Sequence, residues 1–593
     1  MNSLNDTLKK LLILFSKNEK KKLLIIFFMM IVAALFETLG IGLIAPFVGI
    51  VTNPKLIQEQ DIFLSFYKLL NFQSTTSFIV GLVFILLFIF IMKNLYLLFF
   101  YNIQFKIILN QQVKLSKILF REYLTKPYIF HLHRNSADLL RNVNGEVPRV
   151  LQGIILALFH LLTEVLVIVC ILTLLLITSP IATITATLLL GGSIFVFFTI
   201  FKKKISSLGK EQQEVSGNMI KWVNQGLGAS KEVKVSGKEA FFINAYASQG
   251  QINANNSRYM KMLEQVPRLF IETLVVAIVL VTMLIIITSN ASTTELVTTM
   301  ALFTMAAFRL MPSINRIVGL ITGIRYSLPA LEVVYEDLHV NKETVPAELT
   351  SKPEITHKEE RAFRESIQLM QICFRYPNQK DYSAKDISLA IPIGYSVAFV
   401  GESGAGKTTL VDIILGILNP EKGKVLVDGI SIHQIRTLWQ KKIGYIPQSI
   451  FLTDDTIRGN VAFGIKSGDI DDKEVWRALE QAQLKEYVKS LPEKLETTVG
   501  EQGVRLSGGQ RQRIGIARAL YHNPEILFMD EATSALDNET EKEIMKAIDG
   551  LKGEKTLIII AHRLSTIENC DIVFRINNGR LVAIERKLDE SVM

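Results

Sequence analysis

Apolar residues in this chain gather into six runs of membrane-spanning length, all before about residue 325, and nothing else in the sequence constrains the fold as much. A bilayer core of ~30 Å is crossed by roughly 20 apolar residues in a helix. Inside it the backbone must satisfy its own hydrogen bonds, which admits only helices and closed barrels. The runs, about 23–49, 77–101, 151–177, 181–201, 267–289 and 294–321, are continuous rather than alternating, and that selects helices. The last is the weakest, because it holds Arg309 and Arg316. After it the composition becomes that of a soluble protein. The 593 residues therefore read as a membrane bundle of six transmembrane helices, residues 1–337, followed by a linker, 338–365, and a soluble domain, 366–593.

A net charge of +9 would suit a nucleic-acid partner, but the positions of the charges explain it otherwise. Lys9, Lys10, Lys17 and Lys20 to Lys22 precede the first apolar run, and Lys202 to Lys204 follow the fourth. Basic residues flank spans in this way on the cytoplasmic side. The connections 102–150 and 202–266 are long, basic and helical in pattern, whereas 52–76, 178–180 and 290–293 are shorter and poor in Lys and Arg. Both termini and both long connections are thus expected in the cytoplasm of a bacterial cell, with no nucleic acid bound. A connection of ~65 residues folded as a helical hairpin reaches about 45 Å at 1.5 Å per residue. The basic start resembles a signal peptide, yet its apolar stretch is too long and lacks a small-residue cleavage site, so it reads as a retained first span. In the first outward loop, Ile62, Phe63, Phe66, Leu69 and Leu70 stand at helical spacing. They imply a short amphipathic helix, lying on the outer membrane surface or packed on the bundle. Cys170, Cys373 and Cys570 are too scattered for a disulfide framework or a zinc site.

In the soluble half, strand-like runs (Ser396–Val400, Glu525–Met529, Thr556–Ile560) alternate with helical stretches, which implies an α/β fold with a largely parallel sheet. Gly401, Glu402, Ser403, Gly404, Ala405, Gly406, Lys407 and Thr408, followed by Thr409, make a complete P-loop between a strand and a helix. Its glycines let backbone amides curl around phosphate, Lys407 adds a point charge at the β- and γ-phosphates, and the Thr408 hydroxyl ligates Mg²⁺. The apolar run Ile526 to Met529 ends in Asp530 and Glu531. Phosphoryl transfer needs charge neutralisation and a positioned water; Asp530 suits the Mg²⁺, and Glu531 the polarisation of the attacking water.

Between these two motifs stands Leu506-Ser507-Gly508-Gly509-Gln510, the signature of the ATP-binding-cassette (ABC) superfamily, which residues 366–587 resemble closely. The resemblance implies a dimer in which Ser507, Gly508, Gly509 and Gln510 close over the γ-phosphate of an ATP held by the other cassette. It also implies that Tyr376 stacks on adenine, that Gln448 touches Mg²⁺ and the water, and that 498–503 form the exporter X-loop. Asp537, in Ser534-Ala535-Leu536-Asp537, is similar to the D-loop, and His562 matches the switch histidine at the γ-phosphate. No motif is degenerate, so a homodimer with two working ATP sites is expected.

Six spans followed by a cassette is the order of an ABC exporter half-transporter, and the chain has no peptidase domain of the kind that precedes peptide exporters. Charges within spans usually face a cavity or a partner. Lys93, Arg268, Arg309 and Arg316 cluster toward the cytoplasmic leaflet, where Glu37, Glu164 and Glu272 are available to neutralise them. Phe36 to Gly40, Ala45 to Phe47, Gly145 to Val147, Pro267-Arg268, Phe308 to Ser313 and Asn315-Arg316 resemble PglK-type flippases of lipid-linked oligosaccharides. The chain departs at Lys93, where that group carries Arg; the charge stays and the bidentate fork is lost. The resemblance implies a substrate with a polyprenyl pyrophosphate anchor and a sugar head. Export of another amphipathic lipid or drug is the alternative, and an ATP-gated channel or regulator the alternative of another class.

Overall fold

The computed structural model describes residues 2–339 apart from 53, 55–56, 58–60, 70–71, 73, 179 and 289–292, and residues 362–586 apart from 378, 531–537 and 562–566. Two compact units emerge: Met1–Lys126 with Phe130–Thr344, and Pro127–Ile129 with Val345–Met593.

The first unit is helical. Lys17–Gly42 with Ile44–Thr52, Thr75–Thr125, Ala157–Thr178, Pro180–Gly228, Glu239–Thr288 and Thr293–His339 run through the six apolar stretches. Among the described residues, Thr75–Thr125, Ser136–Ile177 and Leu310–His339 are long and apolar enough to cross a membrane. On the first of these, Val80, Val83, Phe84, Leu87, Phe88, Ile91, Leu95 and Leu98 form an exposed stripe at spacings of three and four. Such a face is stable where the surrounding medium is hydrocarbon. This helix has 51 residues, hence ~76 Å at 1.5 Å per residue, far beyond a bilayer core. Its polar continuation is the first long arm. Ser74 caps its start by accepting from the Ser77 amide, and Lys126, extended before Pro127, ends it.

The arm is held by apolar periodicity and one buried polar knot. Ile108, Leu115, Leu119 and Tyr123 share a face, packed with Val147, Val150, Leu151 and Ile154 and with Ala330, Leu331, Val334 and Leu338. Within that core, Asp337 accepts hydrogen bonds from the Tyr123 hydroxyl and, at 3.0 Å, from the Asn142 amide. Arg134 stands 3.5 Å from its other oxygen. Glu146, 1% exposed, lies between Arg149 at 3.3 Å and Arg141 at 3.6 Å. Buried carboxylates of this kind are tolerable only when paired. Here the backbone widens into π-helix at Asn142–Glu146 and Arg149–Leu156, a device that re-aims side chains within a helix.

The loop 52–76 contains the expected short helix, Asp61–Leu69. Phe63 and Tyr67 pack on Ile50, Ile57, Phe72 and Phe78, so this face is turned to the bundle. The side chains of Ile62, Phe66 and Leu69, and residue Leu70, lie outside the described set.

The second unit carries two sheets. Strands β1 (Ser366–Phe374), β2 (Ala384–Pro392), β4 (Lys422–Val427) and β5 (Ile430–Ser431) form an antiparallel sheet in the order β2-β1-β4-β5. Strands β3 (Ser396–Val400), β6 (Ile443–Ile446), β7 (Ile526–Asp530), β8 (Thr556–Ile560), β9 (Ile572–Asn577) and β10 (Arg580–Arg586) form the second, in the order β10-β9-β3-β8-β7-β6. All its neighbours are parallel except β9 and β10. Every residue of β3, β7 and β8 is buried, which is why these strands read as continuous apolar runs. The parallel sheet was expected; the antiparallel one was not.

Candidate functional site

The site grows from the ends of β3 and β7. Leaving β3, the chain turns through Gly401, φ 154°, Gly404, φ 81°, and Gly406, φ 100°, into the helix Lys407–Ile414. A Cβ on Gly401 would lie 2.1 Å from the Ile576 carbonyl oxygen, and one on Gly406 would lie 2.2 Å from that of Ser383. Glycine is required here both for backbone angle and for space. Lys407, 5% exposed, reaches back over the loop and donates to the carbonyl oxygens of Gly401 at 2.8 Å and Glu402 at 2.9 Å. Its ammonium is thus held at the mouth of an amide-lined cradle, where a phosphate chain fits. Glu402, Ser403 and Thr408 are exposed, whereas Ala405 is buried.

Thr409 turns inward. Its hydroxyl lies 3.2 Å from that of Tyr376, whose half-buried ring stands edge-on to Phe374 at 5.0 Å. The aromatic expected at adenine is therefore tied directly to the P-loop helix.

Asp530 ends β7, 7% exposed and in register with Ile560 on β8. Its carboxylate, at the end of β7, and the hydroxyl of exposed Thr408, in the first turn of the helix after β3, are hard oxygen donors of the kind that suits Mg²⁺ with waters completing the shell. Glu531, Asp537 and His562 lie outside the described residues.

Asp412, one turn beyond Thr408, is half-buried; burial, and then the charge of Asp530, raises its carboxyl to about 6 from 3.8. The folded chain consequently binds this proton more tightly than the unfolded chain. The cost to stability is full above pH 6, and it vanishes as pH falls below 3.8. Asp412→Asn should therefore raise the cassette's melting temperature by about 2–4 °C near neutral pH with EDTA present. Thermal melts across pH should show that advantage disappearing in acid.

The signature opens the helix Gly508–Leu520. Ser507 caps it, accepting from the Gln510 amide at 3.2 Å, while the Gln510 side chain accepts from the Ser507 amide at 2.9 Å. Ser507 and Gly508 are exposed, Gly509 and Gln510 half-buried, so the positive end of the helix dipole is open to an anion. Gln448, exposed, follows β6.

Sequence reasoning missed the residue that joins these two segments. Arg518, at the far end of the signature helix, donates to the Phe451 carbonyl at 2.7 Å, three residues beyond Gln448. It also donates to the Asn460 backbone oxygen at 2.8 Å and side-chain oxygen at 3.0 Å. Asn460 is fully buried and also gathers Thr453 and Thr456. No local pattern signals this hub, because Arg518 and Asn460 are 58 positions apart.

In the membrane unit the basic cluster is resolved in part. Arg316 is ion-paired with Glu164 at 2.8 Å, the neutralising arrangement weighed as an alternative from the sequence. The second Glu164 oxygen, the Ser313 hydroxyl and the Asn315 side-chain amide oxygen are buried without a hydrogen-bond partner among the described residues. Lys93 lies over the Phe90 ring at 5.1 Å. Arg268 is exposed beside Pro267 in the helix Glu239–Thr288. The Arg309 side chain is outside the described set.

Residues 13–311 match the ABC transporter transmembrane region, and residues 384–534 match the ABC transporter domain. The chain belongs to the ABC transporters. It is 31% identical over 478 residues, 79% of this chain and 78% of the relative, to an ATP-dependent lipid A-core flippase of Cupriavidus metallidurans. It is 32% identical over 485 residues, 80% of this chain and 78% of the relative, to the flippase of the same description from Saccharophagus degradans. Its fold is similar to that of a bacterial Atm1-family ABC exporter solved with ATP bound, with TM-score 0.76, 22% identity and coverage of 96% and 95% of the two chains. The transporter hydrolyses ATP at its cassette to drive transport across a membrane.

Proposed function

We propose that this transporter is a homodimeric flippase for a phosphate-bearing glycolipid, with a polyprenyl pyrophosphate glycan as its substrate. Mg²⁺ accompanies ATP at each composite site, and both termini are cytoplasmic. The supporting observation is Arg316, a guanidinium on a candidate span, paired with Glu164 and close in sequence to the Ser313 and Asn315 side-chain oxygens, which have no hydrogen-bond partner among the described residues. A pyrophosphate entering from the cytoplasmic leaflet offers the Arg316 guanidinium a stronger, bidentate acceptor than the single Glu164 oxygen it now holds. Arg309, two turns before Arg316, with Lys93 and Arg268, adds positive charge for the same head group.

The relatives favour a second reading, since the proteins this chain resembles over most of its length are described as lipid A-core flippases. Both substrates are anionic glycolipids. They are separated by measuring ATP-dependent flipping of fluorescent forms of each in vesicles of the purified protein. Arg309→Gln with Arg316→Gln should reduce flipping of the glycan pyrophosphate by about two orders of magnitude, because hydrogen bonds to charged groups contribute ~1.5–3 kcal/mol each. Basal ATP hydrolysis should persist. Unchanged flipping in a folded double mutant removes the docking role. A lowered melting temperature with poor recovery assigns the arginines to carboxylate pairing.

A further inference from the structure

The first helix, Asn2–Ile13, joins the bundle by one side only. Leu11, with Leu14 and Phe15 just beyond the helix, is buried against Ala330, Leu331 and Val334 of the final helix. Lys10 bonds to Glu332 at 2.8 Å and to Asp6 at 3.1 Å. The opposite arc, about 140° wide at 100° per residue, presents Leu8, Lys9, Leu12 and Ile13. The three apolar side chains there are 41%, 51% and 42% exposed.

The chain then turns at Ser16, whose amide donates to Glu19 at 2.7 Å, while Glu19 also pairs with Lys114. The next helix opens with Lys17, Lys20, Lys21 and Lys22, all exposed like Lys9, and among the described residues none of the five has an ion-pair partner. Immediately after them come Leu24, Ile25, Phe27 and Phe28, exposed and apolar, at the start of the first membrane run.

We infer that the outer arc of the first helix and the lysines beginning the second form one docking surface for the anionic phospholipid head groups of the leaflet at that end of the bundle. The occupant follows from continuity. The lysines sit within two turns of side chains that must meet hydrocarbon, so they stand at head-group depth. Leu8, Leu12 and Ile13, exposed on the arc that carries Lys9, belong to the same N-terminal segment. An apolar face edged with lysine is the composition that settles at an interface, with long lysine stems reaching outward to phosphate. Asp6 and Glu19, the acids of this segment, are already occupied by Lys10 and Lys114, so the uncompensated charge is positive. The site is distinct from the proposed glycolipid path, which uses Lys93, Arg268, Arg309 and Arg316.

Full-length protein purified from bilayers of phosphatidylcholine and phosphatidylglycerol in equal parts tests this, with native mass spectrometry reading both retained lipid and oligomeric state. Phosphatidylglycerol should be retained in excess. Lys9, Lys17, Lys20, Lys21 and Lys22 together changed to Gln should lower that excess by at least about tenfold, since each basic group near an anionic surface contributes roughly fivefold. The exposed cassette lysines Lys422, Lys424 and Lys441 changed to Gln serve as the control and should leave it unchanged. An unchanged ratio in the five-lysine variant overturns the proposal. If that variant cannot be recovered, salt decides on the native protein: the excess should fall between about 0.1 M and about 1 M salt as the screening length contracts, and a constant ratio overturns the proposal. Leu12→Asp should reduce retained lipid at constant oligomeric state. If it instead disrupts the oligomer, the face belongs to a second copy and the lipid site is refuted.

Discussion

Glu531→Gln leaves ATP bound and lowers turnover by about two to four orders of magnitude, the range lost when a positioned general base is removed. Glu531 directly follows Asp530, the buried carboxylate that ends β7. Gln preserves the size of the side chain and leaves Asp530 and Thr408 for the cation. What disappears is the negative charge that draws a proton from the attacking water. The binding half of the cycle is intact, because Lys407 and the loop amides are untouched. The mutant is therefore expected to accumulate as a dimer closed around ATP. Nucleotide retention with stalled phosphate release is the measurement. A purified mutant hydrolysing ATP at the native rate would place the base elsewhere.

How much of this was legible depends on the range of the interactions concerned. The P-loop and the signature are local: three glycines with positive φ, a lysine folding back five and six residues, and a serine capping its own helix each close within six residues. So were the buried strands β3 and β8, expected and observed at the same residues, and β7, shifted by one. The antiparallel sheet was not legible. Its central strand β1 lacks clean alternation, since bulges break the register between Leu369 and Ile372, where Gln371 takes a left-handed φ of 51°. Two further elements depend on residues remote in sequence. The knot of Tyr123, Asn142 and Asp337 spans 214 positions, and Arg518 reaches Asn460 across 58. Charge in the membrane run was intermediate: the residues able to pair were evident, and only the fold chose Glu164 for Arg316.

A mixed dimer decides whether the two motifs act within one chain or across two. Within one cassette, the Ser507 cap is satisfied by Gln510 and its helix end stays open, while Lys407 is occupied by its own loop. Each half-site is finished on its own side, which suits facing a complementary half on a second copy. Lys407→Ala should weaken ATP binding directly by about one to two orders of magnitude, the loss of hydrogen bonds to a charged group. Gly509→Asp should spare nucleotide contact by the same subunit and block hydrolysis, by placing a carboxylate against phosphate at the open helix end. Either homodimer is then inactive. Pairing one Lys407→Ala subunit with one Gly509→Asp subunit concentrates both defects in a single composite site. The other site keeps a native P-loop from one chain and a native signature from its partner, so hydrolysis should recover to a substantial share of one native site. Were each cassette to work alone, both subunits of this dimer would be defective, and its rate would equal that of the inactive homodimers. That outcome would refute the composite site.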